Sequence, residues 1–381
     1  MSSKLAAGAV AKAPGADLDS RAAAVDVALR STAGHIPRAT APMPVVEPHA
    51  SSTPWIGPKG EVMRRLELHL TYHCPERCVF CSEEHRMAAF QKFEVTWGRV
   101  AKVLRLHASR GVNAVHFTGG EPTIHPRFID VCKLAKKLGM RTSVGTIGTM
   151  LAREEFAERA LPWLDEALFS LHGPDAATND RMTRRKGSFE QTVRAIQLAR
   201  RIRPEFRVYV NTVATQLNVD ALPDTVALAD ALGAELIVVS NTTPEGGGQD
   251  HFDALGLPLE TLARVMPQVP PRAKNAIVRF FGMPMCLLEP YAALSNDVHW
   301  DPRVTVEWAR TESGVAFESF YNWAPDRRRE RVAACEGCSR NTICMGVYDT
   351  YAERYDTSVL RPYTASKTAD ATAGGTPSLT V

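Results

Sequence analysis

Apolar and polar residues alternate through "VMRRLELHLTY" (62–72), with leucines at 66, 68 and 70, the period of a strand with one face in a core. The period then lengthens. "TWGRVAKVLRLHASRG" (96–111) carries its apolar residues on one helical face and ends at Gly111. The same change recurs down the chain. "AVHFTGGEP" is a short buried strand running into a glycine loop, and "PRFIDVCKLAKKLGM" is an amphipathic helix. Strand "RTSVGTIGTM" precedes helix "REEFAERALPWL"; strand "EALFSLHG" precedes helix "SFEQTVRAIQLARRI", with Ser188 and Glu190 near its start. Strand "FRVYVNTVA" leads to helix "PDTVALADALG", which has proline at its start and glycine at its end. Strand "AELIVVSN" and helix "PLETLARVMPQV" complete the run.

Six such units imply an α/β fold with a parallel sheet and right-handed crossovers. That count suits a partial (β/α)6, TIM-like barrel better than a closed eightfold one. In such barrels the chemistry sits on loops after the C-terminal strand ends. The unusual stretches fall there: "TYHCPERCVFC" after the first strand, "TGGEPT" after the second, "GTIGTM" closing the third and "SLHG" closing the fourth.

The expected division of the 381-residue chain is a low-complexity segment (1–60), the barrel (61–275), a cysteine-rich extension (276–364) and a tail (365–381). Within the first segment "DLDSRAAAVDVALRS" suggests a short helix capped by Asp17 or Asp19. Composition narrows the function classes. The formal charge of +3 gives no general signal for polyanions, and no RNA-binding domain is visible. Nowhere do eighteen apolar residues run together, and the N-terminus lacks the apolar core of a signal peptide. A cytoplasmic protein is expected, in which clustered cysteines bind metal or do redox work.

Cys74, Cys78 and Cys81 are spaced C-x3-C-x2-C. A structural zinc site takes four ligands, and His73 or His85 is the nearest fourth. Ferredoxin clusters also take four cysteines, and the x3 gap does not match their run. Three thiolates on a cubane leave one iron open to a small ligand. Cys132 falls on the apolar side of its helix and reads as core packing. Cys286 and the C-x2-C-x5-C of Cys335, Cys338 and Cys344 can hold a second cluster or a zinc ion.

With Phe80 just before its third cysteine, the C-x3-C-x2-C motif resembles the radical SAM superfamily signature. The resemblance implies a [4Fe-4S] cluster on Cys74, Cys78 and Cys81, with S-adenosylmethionine on the open iron. It also implies cofactor contacts from Phe80, from Gly119, Gly120 and Glu121 (the last toward the ligand's ammonium group), and from Ser170. An arginine among Arg181, Arg184 and Arg185, taken here as Arg184, pairs with the carboxylate, and Asn241 lines the adenine. Ile147 replaces the usual Asn of the third-strand motif, which leaves that stretch only backbone proximity. His172 points into the mouth. The last four cysteines resemble Twitch or SPASM extensions; Tyr348 stands where the full SPASM pattern has another cysteine, so one auxiliary cluster is expected. The implied activity is reductive cleavage of S-adenosylmethionine to a 5′-deoxyadenosyl radical that abstracts hydrogen from a substrate. An external one-electron donor of flavodoxin or ferredoxin type is implied as partner. The short N-terminal segment favours a small-molecule substrate over a ribosomally made peptide; a non-catalytic iron–sulfur or zinc protein is the remaining class.

Overall fold

The computed structural model describes residues 65–300, 303–312, 314–322 and 324–364. The expected segment 1–60 with its helix, and the tail 365–381, lie outside them. The first strand, β1 (Arg65–Thr71), buries Leu66, Leu68 and Leu70 completely, as their alternation requires. Six strands follow: β2 (Ala114–Gly119), β3 (Arg141–Thr146), β4 (Glu166–Ser170), β5 (Arg207–Ala214), β6 (Leu236–Asn241) and β7 (Ile277–Phe281). Helices α1 (Glu84–Phe90), α2 (Trp97–Ser109), α3 (Phe128–Lys137), α4 (Glu154–Ala160), α5 (Ala176–Thr183), α6 (Ser188–Ile202) and α7 (Leu222–Ala231) connect β1 to β6. After β6 come two single-turn helices, α8 (Gly247–Asp250) and α9 (Phe252–Leu255), then α10 (Leu259–Val265).

Local chemistry sets several boundaries. Thr96 caps α2 by accepting from the Arg99 amide at 3.4 Å. "REEFAERALPWL" stops as an α-helix at Ala160 and finishes as a 3-10 turn around Pro162, which has no amide proton to continue the ladder. The stretch "RMTRRKGSF" is less loop-like than its charges suggest: Arg181 lies inside α5, and Arg184 ends it at φ 54°.

The sheet runs β7-β6-β5-β4-β3-β2-β1-β8-β9, where β8 is Arg303–Thr311 and β9 is Gly314–Asn322. All neighbours are parallel except the last pair. A seventh strand extends the six predicted, because β7 pairs with β6 although it falls beyond the expected barrel boundary at 275. The extension also joins the same sheet at its other end, where β8 pairs with β1 from Arg303↔Arg65 to Val306↔Leu68. Residues 276–364 therefore add strands at both ends of the sheet. A shorter ladder joins β10 (Arg329–Glu330) to β11 (Val347–Tyr348), just before α11 (Asp349–Arg354).

The two faces of the sheet differ. On β5, Val208, Val210, Thr212 and Ala214 are buried, while Arg207, Tyr209, Asn211 and Val213 are half-buried. On β6, Ile237 and Val239 are buried and Val238 and Ser240 are not. One face thus packs on helices and the other lines a partly open, partly polar interior. Cys132 is fully buried within the main core, as its helical position predicts.

Candidate active site

The three-cysteine loop leaves β1 at Thr71 and enters α1 at Glu84. Its backbone is docked on the end of α5: Arg77 N donates to Thr183 O at 3.1 Å, and Val79 N to Met182 O at 3.0 Å. Glu76, 1% exposed, fastens the middle. It accepts from Ser188 Oγ at 2.6 Å and from Cys78 Sγ at 3.5 Å. Asn179 donates to Ser188 Oγ at 3.2 Å and accepts from the His172 amide at 2.8 Å, so the support reaches the end of β4.

Two glycine stretches press on the same loop. Gly120 N donates to Thr71 O at 2.7 Å and Glu121 N to His73 O at 2.8 Å. A Cβ on Gly119 or Gly120 would collide with the Thr71 or His73 carbonyl, and Gly119 also needs φ +115°. The other stretch is Gly246–Gly248. Gly247 N donates to Cys81 O at 2.9 Å, and a Cβ on Gly247 would meet Val79 O at 2.8 Å. The C-terminal extension pins this loop in turn: Arg327 pairs with Glu245 at 2.8 Å, and Arg328 donates to Pro244 O.

Backbone N–H groups of Glu76 and Glu83 favour the thiolates of Cys74 and Cys81, but burial outweighs them. Burial pushes Cys74 and Cys81 up to about 12 and Cys78 well above its ordinary value, and the neighbouring Glu76, Glu121, Glu83 and mutual thiol repulsion push the same way. Such a set is protonated when free and becomes thiolate only on meeting a cation, whose charge inverts the local balance. A fourth protein ligand is not drawn in. His73 is exposed, and His85 is bonded to Asp250 at 2.7 Å. Among the described residues, His69, Glu83 and Glu307 are the only three ligand-type side chains with atoms all within 4.8 Å of one another. The thiols stand wider, whereas a tetrahedral zinc holds its sulfurs about 3.8 Å apart. Three thiols without a fourth protein ligand suit a [4Fe-4S] cluster that keeps one iron for a small ligand.

The His69 group braces the loop from behind. Glu83 and Glu307 each give one oxygen to Arg86, at 2.8 and 3.3 Å, and turn the other toward His69, at 3.7 and 3.3 Å. Burial opposes charge on Glu83, but Arg86, His69 and Arg327 outweigh it and hold the carboxyl low; burial holds Glu307 high. This network joins β1, the cysteine loop and β8.

The remaining expected contacts divide. Ser170 ends β4 half-buried, facing the interior beside its pairing partner Asn211. Phe80 stands edge-on to His172, with ring centroids 4.6 Å apart, and packs with Val79, Met182, Leu217 and Leu255. His172 Nδ1 accepts from Val213 N at 3.2 Å, and burial depresses its pKa to about 3, so the ring is neutral. Gly119 and Gly120 serve the cysteine loop's backbone. Glu121 is fully buried and its carboxylate is occupied by protein: it accepts from Thr123 N and Oγ1, Thr146 Oγ1 and Ile147 N. The Ile147 departure is harmless for this reason, since the loop after β3 is held by backbone. Arg184 is exposed and nearer Glu84 than the thiols, whereas Arg185 lies beside Glu76 with a buried Nη1 that has no partner. Asn241 is buried and bonded within the protein. It donates to Gly282 O and accepts from Thr242 N and Tyr351 Oη, so it anchors α11.

The other four cysteines converge. Cys286, Cys335, Cys338 and Cys344 line one cavity of ≈ 360 Å³, closed partly by Tyr363. Tyr363 N donates to Cys338 Sγ at 3.3 Å. Tyr348 is buried beneath Arg329, 4.9 Å from its ring centroid, and forms part of the core.

Sequence reasoning passed over Glu76, Ser188 as its partner, Asn179 and the Gly246–Gly248 loop. "EGGGQ" directly after a strand was the available signal.

A parallel α/β barrel whose first strand ends in a three-thiol loop, held open by its neighbours, defines an iron–sulfur barrel protein. Residues 68–229 match the model of the Radical SAM superfamily. PqqA peptide cyclase of Rhodopseudomonas palustris is 30% identical over 200 residues, 52% of this chain and 51% of its own length. The AdoMet-dependent heme synthase of Methanosarcina barkeri is 26% identical over 187 residues, 49% of this chain and 53% of its own. The chain thus spans about half the length of the curated relatives it matches. Among solved structures, Streptococcus suis SuiB bound to its precursor peptide SuiA aligns with TM-score 0.54 and 15% identity, over 80% of this chain and 75% of that one. SuiB bound to S-adenosylmethionine aligns with TM-score 0.53 and 14% identity, over 80% and 76%. These two share the fold.

Proposed function

We propose that this protein is a radical SAM peptide maturase. The observation that carries the radical chemistry is the Cys74–Cys78–Cys81 loop, supported from three sides and given no fourth protein ligand. A [4Fe-4S] cluster with S-adenosylmethionine, bound there, supplies one-electron cleavage of the sulfonium and a 5′-deoxyadenosyl radical able to take hydrogen from an unactivated carbon. The chain's own residues do the rest. Glu76, Ser188 and the two glycine loops fix the thiols. Arg185, with an unpartnered buried Nη1 beside the loop, is the better-placed guanidinium for the cofactor's carboxylate than the expected Arg184. Glu121 acts by shaping the loop after β3, and Ser170 and His172 face the space between. The extension walls that space through Asn241 and Tyr351, which favours exclusion of water.

The small-molecule substrate expected above gives way to the peptide reading. That expectation rested on a short N-terminus; the PqqA peptide cyclases that match over half the chain support an extended peptide substrate instead. The half-buried, partly polar interior face of β4–β6 suits a peptide's mixed chemistry. The second cysteine set is proposed as an auxiliary [4Fe-4S] site. Four thiols lining one cavity support that reading, since four cysteines complete a cubane's ligands.

The test is anaerobic reconstitution, then dithionite, S-adenosylmethionine and a small peptide encoded beside the gene. The expected result is 5′-deoxyadenosine together with a peptide lighter by two hydrogens. Deoxyadenosine with an unchanged peptide overturns the substrate; iron without deoxyadenosine overturns the chemistry.

A further inference from the structure

We propose that the surface over the second cysteine set is the docking face for an acidic one-electron carrier protein; this deepens the function proposed above and rests on it. Arg331, Arg340 and Arg361 line the cavity with the four cysteines. None is paired with a carboxylate among the described residues. Arg331 Nη2 donates to Cys344 O at 2.9 Å, Arg361 donates to Ser358 O, and Arg340 lies 3.8 Å from the Tyr363 ring centroid. Among the described residues of the extension, Arg303, Arg327, Arg328, Arg329 and Arg354 pair with Glu67, Glu245, Asp349, Asp297 and Asp253, whereas Arg279, half-buried in β7, and Arg310, at the far end of β8, do not. Three further guanidinium groups without a carboxylate partner gather around the thiols.

That face is exposed and has an apolar centre. Arg331 and Arg361 are on the surface, and Ile343, next to Cys344, is 39% exposed. It is one of three large hydrophobics so exposed among the described residues. Cys335, Cys338 and Cys344 are only half-buried, and the chain covering them between 335 and 344 is a succession of tight turns. The first cysteine set, also half-buried, is held by backbone from the β2 and β6 loops and the end of α5. Among the described residues, the second set is covered only by its own turns and by Tyr363. Unpaired guanidinium groups around an apolar anchor are the complement of an acidic partner, and they set encounter rate more than final affinity.

The electron transfer balances without a proton. An anionic flavin hydroquinone on the carrier gives one electron and is left as the neutral semiquinone, and the auxiliary cluster takes that electron.

The probe is a flavodoxin, used with the reconstituted full chain. Binding of oxidised flavodoxin is measured by calorimetry at 50 and 500 mM salt, and contact is mapped by hydrogen exchange. Expected are at least tenfold weaker binding at high salt and protection confined to 331–346 and 358–363. The double variant R331E/R361E should lower the ratio of flavodoxin-driven to dithionite-driven deoxyadenosine formation at least tenfold, with R331K/R361K restoring it. If dithionite produces no deoxyadenosine from the wild type, the function above has failed rather than the docking face. Protection elsewhere, salt-independent binding, or an unchanged ratio overturns this proposal. The wild-type exchange map decides the matter even where the double variant loses iron.

Discussion

At Gly120 a methyl group has nowhere to go, because the His73 carbonyl already occupies its place. Gly120→Ala is expected to cost about 1–3 kcal/mol by overpacking and to strip iron from the first cysteine set. Gly98, inside α2 with nothing within 4 Å, is the control: Gly98→Ala should gain about 0.5–1 kcal/mol and leave iron unchanged. Iron analysis and urea unfolding of both variants check this. Glu76 gives a pH signature in cluster-free protein. Burial raises its carboxyl to about 7, against bonds from Ser188 and Cys78 that lower it. The folded state therefore holds a proton that the unfolded chain has released between about pH 4.5 and 7. Stability from this group is present below that window and is lost as pH rises through it, by on the order of 2 kcal/mol. The shift in urea midpoint between pH 5.5 and 7.5 should change from wild type to Glu76→Gln by the amount this one group contributes, the other buried groups acting alike in both. The glycine pair and the cysteines were legible because their spacing is unusual; Glu76 was not, because a lone carboxylate between cysteines announces no partner 112 residues away.

The elements follow their periods closely where burial is one-sided. The helix read from "SFEQTVRAIQLARRI" is α6 residue for residue, since its apolar positions face the sheet and Gly187 starts it in a left-handed turn. The start of α6 also carries Ser188, which links element to site. Ser188→Ala removes one buried hydrogen bond and leaves Glu76 short of a donor, so about 1–3 kcal/mol of stability should go, with a lower affinity for S-adenosylmethionine. Calorimetric unfolding and equilibrium dialysis read the two effects. On the extension, Cys338→Ala should halve iron from about eight to about four per chain while uncoupled cleavage of S-adenosylmethionine persists. Single-turn helices α8 and α9 escaped notice because four residues hold too little pattern to register a period.

For the whole molecule, the extension is part of the scaffold. Strand β8 covers the edge of β1, and Glu307 on β8 shares the buried charge network with Glu83 of the cysteine loop. Ending the chain at residue 300 would bare a parallel strand edge and leave Arg86 and His69 without one carboxylate. Such a truncation is expected to aggregate on expression; a soluble, monomeric, iron-loaded product in size-exclusion chromatography would contradict this. No described helix is long and apolar enough to cross a membrane.

By itself the sequence determined the alternation of strands and helices, the loop order at one end of the sheet, and the grouping of the cysteines into two sets. Each is a local property, set by periodicity or spacing within a few residues. Only the tertiary structure decided that the extension closes on both ends of the sheet, that Asn241 and Glu121 spend their polar groups inside the protein, and that Glu76 and Gly246–Gly248 hold the thiols. Those depend on contacts between residues tens to hundreds of positions apart, where backbone approach and desolvation, rather than side-chain pattern, choose the partner.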